Sequence, residues 1–135
     1  MTILIIVLAS LAGACTSFGL GHYRGWPKVL ASAFPSLVVY CAVRMLSGLL
    51  DPQLAQAIPA AFMGASFCGM SAPPVLVSFR SAGISGLFFA LIFSSPVLFF
   101  KGYGGALGTM ACISVLATAG LRRIVNKSKL RDFRI

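Results

Sequence analysis

Arg44, Ser66, Cys68 and Ser71 are polar or nucleophilic side chains set within apolar stretches, and Asp51 is the one acid outside the C-terminal tail. A guanidinium in such a stretch attracts anions or reaches water along its stem, hydroxyls and a thiol line a polar path, and a lone carboxylate carries a proton or a cation. Arg44, Ser66, Cys68 and Ser71 are therefore candidates for a substrate path, and Asp51 is the candidate ion or proton carrier. Covalent chemistry is not expected, and no catalytic residue is assigned. There is no acid pair and no Ser/His/Asp grouping, and His22, the only histidine, stands in a basic loop. Cys15, Cys41, Cys68 and Cys112 are widely spaced, with no CxxC or Cys/His pattern. They read as packing residues, so neither a metal nor a cofactor is expected.

The elements that must position these groups are apolar throughout. Hydrophobic residues make up 59% of the 135 residues and charged residues 10%, with a mean hydropathy of +0.96. Ordinary soluble domains carry roughly 25% charged residues. A spanning helix needs about 20 apolar residues, and five segments of that kind fill the chain. They run over about residues 2–20, 29–50, 54–77, 82–100 and 104–121. The expectation is an all-α integral membrane protein, a bundle of five transmembrane helices over residues 1–121, followed by a basic tail over residues 122–135. Leu11-Ala-Gly-Ala-Cys15 has the look of a processing site, but no Lys or Arg precedes it and further apolar segments follow, so residues 2–20 are read as the first helix.

Lys and Arg outnumber Asp and Glu by 11 to 2. The basic residues fall in short loops and in the tail, the distribution that orients a membrane protein, so nucleic acid is not an expected partner. With five spans the His22–Lys28 loop, the Arg80 loop and the tail share one side, which places the N-terminus out and the C-terminus in. Lys101 and Asp51 fall on the other side. If the third segment were re-entrant, the basic loops would be split between the two sides.

The third segment is the most unusual. From Pro59 to Arg80 it carries small and hydroxyl residues and then Pro73-Pro74, where the helix should unwind or end near Ser71 and Ala72. Small residues recur every four positions along several segments and predict close helix packing at Gly13, Gly64, Gly69, Gly86, Gly104 and Gly108. Arg44 stands near the end of the second segment, where it either snorkels to the interface or serves a buried function. Gly102-Tyr-Gly-Gly105 lacks the threonine-valine run of a potassium filter and reads as a tight loop.

Pro27 opening a helix, Arg44-Met45-Leu46 near its end and Gly64 in the next span resemble, in order and spacing, the short second-half subunits of threonine/serine exporter-like proteins. The likeness covers about residues 27 to 64. It departs from that family where Ala82-Gly83-Ile84 stands in place of the expected Pro-Gly element. No functional residues are carried over from it.

The sequence thus leads to the expectation of a multi-pass protein of the inner (cytoplasmic) membrane. It reads as a transporter or channel subunit for a small solute, with Arg44 and the cationic loops favouring an anion. Five short helices enclose little, so the partners expected are membrane lipid and either further copies of the chain or other membrane subunits. The alternative is an accessory or assembly subunit that transports nothing, for which small-residue stripes alone would suffice.

Overall fold

A computed structural model describes residues 2–46, 48–71, 75–95 and 105–132, with side chains in the last helix up to Asn126. The described residues form five helices and no strand: α1 (Thr2–Tyr23), α2 (Lys28–Met45), α3 (Pro52–Gly69), α4 (Phe79–Ser94) and α5 (Ala106–Asp132). Thr2–Tyr23, Lys28–Met45 and Ala106–Asn126 are long and apolar enough to cross a membrane, and α4 is apolar but shorter. Pro73, Pro74, Pro96, Lys101 and Gly104 lie outside the described residues, and with them the expected double-proline break and the tight glycine loop.

Helix ends follow local chemistry more closely than hydropathy. Gly25 takes φ +65°, a left-handed conformation open to glycine, and turns the chain from α1 into Pro27, which caps α2. α2 was expected to reach Leu50 but stops at Met45. The Leu46 amide bonds back to Ala42, a turn through Gly48 follows, and Asp51-Pro52 begins α3. Arg44 therefore stands in the last turn of α2 and Asp51 at the cap of the next helix. Arg44 and Asp51 thus belong to different helices. Ser78 caps α4, accepting from the Ser81 amide, so Arg80 lies in the first helical turn and not in a loop. Helical backbone continues past Leu121 to Asp132, through most of the basic tail.

α3 is the axis of the fold and packs against each of the other four helices. Its second half buries Ala61, Phe62, Gly64, Ala65, Ser66, Cys68 and Gly69. Against it, α1 buries Ile6, Ser10, Gly13, Ala14, Ser17 and Phe18. The two backbones nearly touch: a Cβ at Gly13 would strike the Phe62 carbonyl oxygen, and one at Gly69 would lie 2.5 Å from the Ala14 oxygen and 2.8 Å from the Phe18 nitrogen. Gly86 of α4 meets the same face of α1, with Ala14 Cβ and the Ser10 oxygen each 3.1 Å from where its Cβ would stand. Small residues let helices approach closely where no water drives them together.

The order of contacts gives the directions of the helices. Gly13 meets Phe62 and Ser17 meets Gly69, so α1 and α3 run parallel. Leu107 approaches Gly64, and Cys68 Sγ reaches the Ala111 carbonyl, so α5 runs with them. Lys28 Nζ, at the start of α2, reaches the Ser71 carbonyl beyond the end of α3, and Phe79, at the start of α4, packs on Phe18 and Tyr23 near the end of α1. α2 and α4 therefore run the other way.

Candidate functional site: a cleft between α2 and α3

Along α2, Ser32, Ser36, Tyr40 and Arg44 recur every four residues and form one line on the helix. At its inner end Ser32 Oγ lies 2.6 Å from Ser66 Oγ, with both side chains buried. Ser66 donates to the Met63 carbonyl at 2.7 Å, which leaves Ser32 as the donor across the helix pair. Ser36 donates to the Ser32 carbonyl at 2.7 Å. The Ser32–Ser66 bond closes the seam between α2 and α3, and the three together satisfy hydroxyls that would be expensive to leave unpaired.

Beyond this pair the helices part. A cleft of about 790 Å³ opens between them, with Ser36, Tyr40 and Arg44 on one wall and Gln56, Pro59 and Ala60 on the other. Met63 and Leu107 complete the apolar part of its lining. Both helices contain an internal proline, Pro35 in α2 and Pro59 in α3, and of these Pro59 lines the cleft. Proline lacks the amide that would bond four residues back, so Pro59 releases the carbonyl of Ala55, which itself lines the cleft. The site thus brings a guanidinium, a phenol, an amide and a serine hydroxyl to an otherwise apolar slot. That mixture suits a small polar molecule carrying an apolar part.

Of the residues singled out from sequence, Arg44 lines this cleft at its exposed mouth. Ser66 lies just behind its closed end. Cys68 is elsewhere: it is fully buried in the core with Ala14, Ala65, Phe89, Met110 and Ala111, and its thiol points to the Ala111 carbonyl at 3.8 Å. Ser71 follows α3 at the opposite end of the molecule from Arg44, where its carbonyl receives Lys28 and its residue borders a separate groove toward α5. Asp51 is exposed at the cap of α3, next to Pro52 of the cleft wall. The four path candidates therefore do not form one path.

Tyr40, Gln56, Ser32 and Ser36 were not foreseen. The signal was present in the four-residue spacing that ends on Arg44, a polar line in an otherwise apolar helix.

The glycines divide as well. Gly13, Gly64, Gly69 and Gly86 lie at close approaches, Gly64 under the Phe89 ring. Gly108 is exposed with no atom within 4 Å of where its Cβ would stand, and α5 buries Met110, Ala111, Ser114 and Thr118 instead. Comparison of the chain with protein-family models, with curated proteins and with solved structures finds no match.

Proposed function

We propose that this chain is a multi-pass protein of the inner (cytoplasmic) membrane that serves as a transport subunit for a small solute, with the α2–α3 cleft as part of the route. The observation that carries the reading is the cleft itself: an internal proline, Pro59, on its α3 wall, a polar line on α2 ending on Arg44, and a hydrogen bond closing its inner end. Proline-broken helices that expose carbonyls to a cavity are a recurrent way to build a solute site in a membrane. Arg44 at the mouth favours an anion. Five spans are proposed, although α3 is less apolar than α1 and α2, because its second half is buried among the other four helices and need not meet lipid. The basic ends of α1 and α5 then face the cytoplasm. The cleft opens on one flank of a small bundle, so a further copy or another subunit must wall it.

An accessory role without transport is the second reading. It is favoured by the backbone contacts of α1 with α3 and by a core in which Cys68 is wholly enclosed. Water in the cleft separates the two. With the four native cysteines changed to serine, Ala60→Cys should react with a membrane-impermeant thiol reagent, whereas Leu91→Cys, exposed on the outer face of α4, should not. Protection of Ala60→Cys by one member of a panel of small carboxylates would identify a lead solute. If Ala60→Cys is inert from both sides in folded, inserted protein, the cleft is dry and the accessory reading takes its place.

A further inference from the structure

A second concavity lies on the outer flank of the bundle, where α1 ends beside the start of α4. It measures about 410 Å³ and is walled by Thr16, Leu20 and Phe79, with Gly19 in its floor and Tyr23 and Arg24 at its end. The walls are set by a run of rings. Tyr23 stacks on Phe79 at 5.4 Å and 15°, Phe79 meets Phe18 edge-on at 5.4 Å, and Phe18 stacks on His22 at 5.1 Å. A methyl group at Gly19 would come within 3.2 Å of the Phe79 ring, so glycine there lets the ring hold its place. Arg24, Lys28 and Arg80 are all exposed at this end of the molecule, while the one acid before the last residue of α5, Asp51, is at the other.

We propose that this groove holds one anionic phospholipid, with the phosphate at Arg24 and an acyl chain along Thr16, Leu20 and Phe79. The proposal does not depend on transport. The charge of the groove's end selects an anion, and its apolar length selects a ligand with a hydrocarbon tail. A free phosphate would leave the length of the groove unused. Tyrosine and arginine at the level of the headgroups beside a hydrocarbon slot are the arrangement that a phospholipid's own two-part chemistry matches.

The test is native mass spectrometry of the full-length protein in neutral detergent, after incubation with phosphatidylglycerol or phosphatidylcholine of the same chains. One phosphatidylglycerol should be retained in preference to phosphatidylcholine. Arg24→Gln should weaken binding of phosphatidylglycerol about fivefold, the share of one basic residue in attraction to an anionic headgroup. Thr16→Trp, which fills the slot, should weaken it too, while Arg123→Gln at the same end should leave it unchanged. Equal retention of the two lipids overturns the proposal. So does a loss in Arg24→Gln no greater than in Arg123→Gln, or displacement of the lipid by inorganic phosphate. Arg24 is exposed, so its replacement decides the matter even if Thr16→Trp fails to fold.

Discussion

Gly69 and Gly108 are the same residue type on helices of the same bundle, yet a side chain at each would meet different surroundings. At Gly69 the obstacles are the Ala14 oxygen, the Phe18 nitrogen and Ser17 Cβ at 2.9 Å or less, all rigid parts of α1. Gly69→Ala must push α1 and α3 apart, and overpacking of that kind costs about 1–3 kcal/mol. Gly108→Ala meets nothing and should stay within about 0.5 kcal/mol of the parent. Unfolding of both variants in a detergent titration would measure the difference, and equal effects would mean that α1 and α3 are not in backbone contact. The sequence pattern marked both glycines for packing because a four-residue stripe of small residues shows that a close approach is possible. It does not show which of two such faces is used. On α5 the chain offers Gly108 and Cys112 on one side and Ala111, Ser114 and Thr118 on another, and the described residues bury the second. In a soluble protein the outward face would be polar and would decide the matter. Here the outward residues, Ile113 and Leu116 among them, are as apolar as the inward ones, so periodicity carries little information.

At the scale of elements, five apolar segments were legible because each is long and bounded by glycine, proline or charge. Their ends were less so: hydropathy runs through Leu46, Leu49 and Leu50, whereas Gly48 and Asp51-Pro52 end one helix and begin the next. The cleft was legible only in part. Arg44 was visible as a charge within a span, but a cleft depends on two helices parting, which neither sequence shows alone. The pairing of α2 with α3 can be tested directly at its closed end. Ser32 and Ser66 bring their hydroxyl oxygens to 2.6 Å, so cysteines at the two positions, in a chain without its native cysteines, should form a disulfide under mild oxidation. The expected readout is protection of both thiols from a polyethylene-glycol maleimide until a reductant is added. Thiols that stay fully reactive after oxidation would show that this seam is not the one the protein makes. The hydrogen bond itself is expected to contribute little, about 0.6 kcal/mol in a double-mutant cycle, because buried polar pairs within membranes average that value.

For the molecule as a whole, charge and direction have to agree. α1, α3 and α5 end where α2 and α4 begin, and Arg24, Lys28, Arg80, Arg122 and Arg123 all belong to that end. Arg44 and Asp51 belong to the other. A chain inserted with the basic end outward would have to carry those five basic residues across, together with Lys127, Lys129 and Arg131 that follow them on α5, against the bias that holds such residues in the cytoplasm. The predicted orientation therefore puts the mouth of the α2–α3 cleft on the outer side and the phospholipid groove at the cytoplasmic leaflet. Single cysteines at two exposed positions read this out: Gln53→Cys should react with an impermeant maleimide in intact cells, and Arg80→Cys only after the membrane is opened. Reaction of both in intact cells would mean that an odd number of spans does not separate them in the way five helices require. A reversed pattern would keep the bundle but turn it over, and would move Arg44 to the cytoplasmic face, where it would meet solutes leaving the cell and not those arriving.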